Sequence, residues 1–204
     1  MLLIIIRKLG AVNARASIPL SVCAVLSDSR PMPSALMIVD VQQGMFAVRQ
    51  PLHRGEEVVR RIAGLLARAR AEGRPVVHVR HDGGSGHVLA KGSAGWPHHP
   101  LVAPHPGEIV VEKRHSGSFH DTDLHRRLAD AGVDRLVIAG MQTEMCVDSA
   151  CRGAVALGYR VILVADGHTT YDTPVIDAER IIAHHNRLLA NGFADVVTAD
   201  QVTF

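Results

Sequence analysis

The chain has 204 residues, 47% of them hydrophobic and 21% charged, which excludes a disordered polymer and allows one full hydrophobic core. Its formal charge of +2 argues against a dedicated nucleic-acid binder, and aromatic residues at 3% leave the core to Val, Leu, Ile and Ala. Three cysteines, at positions 23, 146 and 151, make no disulfide framework; they fit a reducing, cytoplasmic setting in which Cys146 stays a free thiol.

At the N-terminus, the apolar run Met1 to Ile6 is cut by Arg7 and Lys8, far short of the roughly 20 apolar residues a bilayer span needs. A second patch, Ile18 to Leu26 behind Arg7, Lys8 and Arg15, has the outline of a weak signal-peptide core. The simpler expectation starts the domain at Met32, with residues 1–31 an extension or a misassigned start and residues 32–204 the domain. Ala35 to Asp40 is a continuous apolar run closed by a carboxylate, as in a buried parallel strand. Over residues 55–72, Val58, Val59, Ile62, Leu65, Leu66 and Ala69 fall at helical spacing, with Gly73 as the stop. Pro75 to Arg80 reads as the second strand, and residues 81–107 form a long Gly-, Pro- and His-rich segment of the kind that is usually functional or mobile. Then come a strand at Glu108 to Glu112, a helix at Asp121 to Ala131 and a strand at Arg135 to Gly140. A helix at 144–157, a strand at Arg160 to Asp166, a helix at 174–190 and a strand at Ala194 to Thr198 complete the order. Such alternation predicts an α/β fold: a Rossmann-like three-layer α/β/α sandwich with a six-stranded, mostly parallel sheet.

Active sites in such folds lie beyond the C-terminal strand ends. That rule gathers Asp40, His81, Asp82, Lys113 and the turn Gly140 to Cys146 at one edge. Cys146 follows a strand-to-helix turn, where the helix N-terminus favours the nucleophilic thiolate. The plainer alternative is an inert buried cysteine, which describes Cys151 well. Asp40 and Lys113 each close an apolar strand and would be costly to bury alone. Together they form either a simple buried ion pair or, beside Cys146, a nucleophile–base–cation set in which Asp40 accepts the thiol proton and Lys113 steadies the anions.

Three separated motifs carry a resemblance. Asp40-Val41-Gln42, Lys113-Arg114-His115-Ser116-Gly117-Ser118-Phe119 and Gly140-Met141-Gln142-Thr143-Glu144-Met145-Cys146 are similar to the isochorismatase-like cysteine hydrolases, in an order and spacing that run from about Ala35 to Val197. The resemblance implies an Asp40–Lys113–Cys146 triad. It also implies a non-proline cis peptide at Met141–Gln142 and an oxyanion hole made by the amides of Gln142 and Cys146. True isochorismatases, which cleave a vinyl ether, lack the nucleophilic Cys, so amide hydrolysis through a thioester is the expected reaction, with isochorismatase-type vinyl ether hydrolysis kept as an alternative. Substrates of the family include carbamoyl groups, small amides, lactams such as the streptothricin ring, and nicotinamide. Family members commonly assemble as homodimers or homotetramers.

Nicotinamidases of the family hold a metal through an Asp-x-His pair after the second strand. Here that stretch is His81-Asp82-Gly83-Gly84-Ser85-Gly86-His87, and Gly84 breaks the motif. No metal or other cofactor is therefore expected, although His81, Asp82 and His87 leave an irregular site open. Gln42, Phe46, His81, Trp96 and Phe119 are the candidate substrate-binding residues, with Trp96 forming a pocket wall with Phe46 and Phe119 or simply packing down its loop. His168 either touches substrate or fixes its loop, and His184-His185-Asn186 is read as packing or a subunit contact. The expected partner is a small molecule, with no nucleic acid and no membrane. Two further classes stay open: a non-catalytic binding protein that keeps the pocket, and a thiol-redox enzyme using Cys146 and Cys151. The second is disfavoured because a five-residue offset turns the two sulfurs apart on a helix.

Overall fold

The fold is a computed structural model that describes residues 33–204; the expectations for residues 1–31, Cys23 and a start at Met32 lie outside the described residues. Its sheet contains β1 (Ser34–Val39), β2 (Val76–His81), β3 (Ile109–Lys113), β4 (Arg135–Met141), β5 (Arg160–Thr169) and β6 (Asp195–Val197). The strand order is β3-β2-β1-β4-β5-β6, and every pairing is parallel. All six residues of β1 are buried because helices cover both faces, which is why its sequence is continuously apolar rather than alternating.

Successive side chains of β1 nonetheless divide between two cores. Leu36 and Ile38 pack with Val58, Val59, Ile62, Leu65, Leu66 and Ala69 of α1 (Gly55–Ala71). Ala35, Met37 and Val39 pack on the other side with Leu124 and Leu128 of α2 (Leu124–Asp130), and with Ala150, Cys151 and Ala154 of α3 (Asp148–Ala156). Leu189 of α4 (Ala178–Ala190) joins this second core. Among the described residues no helix is long and apolar enough to cross a membrane.

Several boundaries differ from expectation for local reasons. The helix expected from residue 174 begins at Ala178, because Thr173 folds its own turn with Ile176 and the Asp177 side chain caps the helix by accepting from Arg180 N. The helix expected at 144–157 is divided: a π-helical turn, Thr143–Val147, precedes α3. β5 continues to Thr169 because the pairing with β4 slips between Ile138 and Gly140, so that Ile138 faces Leu163 but Gly140 faces His168. Asp166-Gly167, which reads as a strand end, lies within that irregularity.

The topology sets the site. From β1 the chain moves outward to β2 and β3, then returns to the other side of β1 as β4, which makes the C-terminal ends of β1 and β4 the switch point where ligands bind in open α/β sheets. Gly140 permits the close approach there. Its φ is 133°, and a Cβ at this position would lie 2.0 Å from the Val39 carbonyl oxygen.

Candidate active site

Asp40 is the first residue past β1, and its φ of 52° is uncommon for a residue with a Cβ. Its amide donates to Val79 O at 2.9 Å, which ties this conformation to β2. Lys113, the last residue of β3, reaches back across β2 so that Nζ lies 2.6 Å from Asp40 Oδ2. The same ammonium donates to Cys146 Sγ at 3.1 Å and to the His115 carbonyl at 3.1 Å. Asp40 and Lys113 are each 2% exposed, so neither charge could persist there without the other. Apart from this ion pair, neither Asp40 carboxylate oxygen makes a hydrogen bond among the described residues, which leaves capacity to accept a proton.

Cys146 lies in the π-helical turn, and the peptide Met141–Gln142 before it is cis. Met145 N and Val147 N both donate to the Gln142 carbonyl, at 3.2 and 3.1 Å. Burial, and then the negative charge of Asp40, push Cys146 up to about 12 against the pull of Lys113, so the resting group is a protonated thiol.

His81 ends β2 in register with Lys113. Burial and the Lys113 charge hold its imidazole below the ordinary value, and its Nδ1 is buried without a hydrogen-bond partner among the described residues. The remaining candidate binding residues are committed elsewhere. Gln42 donates from Nε2 to the carbonyls of His81 and Trp96, at 3.0 and 2.8 Å, and accepts from His81 N at 2.8 Å. It is a clamp between β2 and the following segment rather than a free hydrogen-bonding group. The expected wall of Phe46, Trp96 and Phe119 is not formed. Phe46 packs on the α1 core and against His99, while Phe119 belongs to the opposite core and stacks on Tyr159. Trp96 lies under the Arg80 guanidinium, 3.5 Å from the ring centre, with Lys91 at 5.4 Å, and both cations pair with Glu112.

The irregular metal site at His81, Asp82 and His87 is not assembled either. Asp82 Oδ1 accepts from Gly84 N and Lys91 N, its Oδ2 pairs with Arg114, and His87 Nδ1 accepts from Leu89 N. Among the described residues the ligand atoms of the three are not gathered within reach of a single ion. A cleft of about 320 Å³ opens beside Lys113, walled by Glu112, Arg114, His115 and Asp121.

Support for the nucleophile turn comes from residues whose connection the sequence does not announce. Asn186 Nδ2 donates to Ala165 O at 3.0 Å, which turns its Oδ1 toward His168 Nε2 at 2.9 Å. Nε2 of His168 must then carry the proton, so Nδ1 accepts from Thr143 Oγ1 at 2.8 Å. Burial pushes His168 down to about 4, consistent with this neutral tautomer. Of the two readings for His168, the loop-fixing one matches these bonds. Glu144 is held similarly, by Thr170 Oγ1 at 2.9 Å. The signal in the sequence is that Thr143 follows β4 and His168 lies near the end of β5, at the same edge of the sheet.

A family model described as the isochorismatase domain matches residues 34–201. The chain is 44% identical over 140 residues to a streptothricin hydrolase of Streptomyces noursei, an alignment covering 69% of this chain and 51% of that protein. This chain thus spans about half the length of that relative. It is 34% identical over 149 residues to a maleamate amidohydrolase of Pseudomonas putida, covering 65% of this chain and 70% of the relative. Among solved structures, an isochorismatase hydrolase from Oleispira antarctica superposes with a TM-score of 0.77 at 35% identity, covering 83% of this chain and 95% of that one.

Proposed function

Because the chain belongs to the isochorismatase family, we propose that it is a cysteine hydrolase that cleaves a C–N bond of a small amide, carbamoyl or lactam substrate through a thioester on Cys146. The observation that carries this reading is the single ammonium of Lys113 bound to both Asp40 and Cys146 Sγ in a buried setting. A structural ion pair has no need of a thiol at its third position. The names of the streptothricin hydrolase and the maleamate amidohydrolase support hydrolysis, and the second supports an amide bond.

In this mechanism the Cys146 proton passes to Asp40 as sulfur attacks the substrate carbonyl carbon. Lys113, already donating to sulfur, offsets the charge that appears there. The oxyanion is received by the backbone amides of Gln142 and Cys146. Collapse of the tetrahedral intermediate breaks the C–N bond, and Asp40 returns its proton to the departing amine. Water, deprotonated by Asp40, then cleaves the thioester and restores the thiol. His81, in register with Lys113, is the side chain best suited to contact the acyl group.

The test is a panel of small amides, carbamates and lactams, with streptothricin and maleamate included, assayed by release of ammonia or amine. Turnover should vanish in Cys146→Ala, and rapid quenching of the wild-type reaction should leave an acyl adduct on Cys146 by intact mass. Full turnover in the Cys146→Ala variant would sink the mechanism.

A further inference from the structure

We propose that His168 is a positioning residue for the nucleophile: acting through Thr143, it holds the turn that carries Cys146 in π-helical form, with sulfur aimed at Lys113. Its consequence for turnover rests on the cysteine-hydrolase reading; the geometry does not. Val147 N donates to Gln142 O at 3.1 Å, a bond spanning five residues, which is what distinguishes a π turn from an α turn. α3 begins at the next residue, Asp148, so the turn could rewind into one continuous α-helix. Rewinding would shift the register by one residue, and one residue swings a side chain by about 100° around a helix. Cys146 Sγ would then leave the Lys113 ammonium, which it now meets at 3.1 Å.

Two side-chain bonds from the end of β5 oppose that change. Thr143 Oγ1 donates to His168 Nδ1 at 2.8 Å, and Thr170 Oγ1 donates to Glu144 Oε1 at 2.9 Å. Thr143 and Thr170 are fully buried and His168 is 1% exposed, so solvent does not compete for the first bond. That bond is also the directed one. A hydroxyl rotates to suit its partner, so it fixes a position only when the partner is itself fixed. His168 is fixed: its Nε2 donates to Asn186 Oδ1, and Asn186 is set in turn by its own bond to the Ala165 carbonyl. The slip in pairing between β4 and β5 places His168 opposite Gly140, at the start of the stretch that leads into Thr143. The irregularity in β5 thus delivers an imidazole to the nucleophile turn from the side away from Asp40 and Lys113, which come from β1 and β3.

Two pairs of variants of the full chain test this. Thr143→Val keeps the shape and loses the hydroxyl, whereas Thr143→Ser keeps the hydroxyl. His168→Asn carries an amide oxygen where Nδ1 stands and can still accept from Thr143; His168→Gln places its amide near the Nε2 position and cannot. The first readout needs no substrate. The rate of Cys146 alkylation by iodoacetamide is followed against pH on its own peptide by mass spectrometry, apart from Cys23 and Cys151. Burial and Asp40 hold the thiol up at about 12, so a sulfur swung out of that setting should titrate lower, toward the ordinary value near about 8.5. The profile should move to lower pH in Thr143→Val and His168→Gln, and stay with the wild type in Thr143→Ser and His168→Asn. On a substrate found by the amide panel, kcat should fall on the order of a hundredfold in Thr143→Val and His168→Gln, with KM little changed, as misplacement by about 1 Å can cause. Circular dichroism checks each fold, and either pair decides the question if the other does not fold. A wild-type alkylation profile in Thr143→Val and His168→Gln, or the same profile within each pair, overturns the proposal whether or not any amide is cleaved. Profiles that split as expected in a protein without turnover would uphold it and count against the hydrolase reading alone.

Discussion

At 2.6 Å from Asp40 and 3.1 Å from Cys146, the Lys113 ammonium has a structural task and a chemical one, and substitution separates them. Lys113→Met leaves Asp40 buried and uncompensated, and should cost about 3–5 kcal/mol in urea unfolding. Adding Asp40→Asn removes the orphaned charge, so the double variant should regain most of that stability while turnover stays absent. Recovery of both together would show that the pair is structural only. The thiols make a second prediction. Burial pushes both Cys146 and Cys151 up to about 12. An unfolded thiol titrates near 8.5, so between about pH 9 and 12 the unfolded chain binds fewer protons and stability falls as pH rises. The stabilisation is complete below about pH 8.5. Unfolding followed from about pH 8 to 11 should show this loss, and Cys151→Ala should reduce its slope. Iodoacetamide should alkylate Cys146 slowly near neutral pH and faster in strong alkali.

Among the elements, β1 and β4 carry the most consequence, because Asp40 and Cys146 follow them. Gly140→Ala would set a Cβ against the Val39 carbonyl at a φ of 133° and push the two strands apart. The expected result is a protein lost to inclusion bodies, or a folded remnant without turnover; a soluble variant with wild-type melting temperature and activity would contradict the packing described for this junction. Strands such as β1 and β4 are legible in the sequence because each is an apolar run closed by a charge or Gly. Asp40 and Lys113 are legible because a charge that closes a buried run has to be paired to be tolerated there. Contacts made by long-range geometry are not legible. Gln42 resembles a ligand-facing amide in sequence, and only the approach of His81 and Trp96 turns it into a clamp. The burial that pushes the Cys146 thiol up is hidden for a similar reason, because it depends on how distant segments pack around the turn.

Across the whole molecule, the sheet separates two apolar cores that share little beyond the strands between them. Ile62 in α1 and Leu128 in α2 are each fully buried, one in each core. Ile62→Ala and Leu128→Ala should each cost about 2–5 kcal/mol. Their combination should be additive to within about 0.5 kcal/mol, since distant sites without shared partners do not couple. A larger coupling energy would mean that strain crosses the sheet. The stacking of Trp96 on Arg80 has a practical consequence of its own. It is the single tryptophan of the chain, so nearly all fluorescence excited at its absorption edge originates in the segment that Gln42 ties to the end of β2. A cation at 3.5 Å should quench that emission, and Gln42→Ala should brighten it and shift it to the red. Ligands entering the cleft beside Lys113 could then be followed by intrinsic emission, with no label attached.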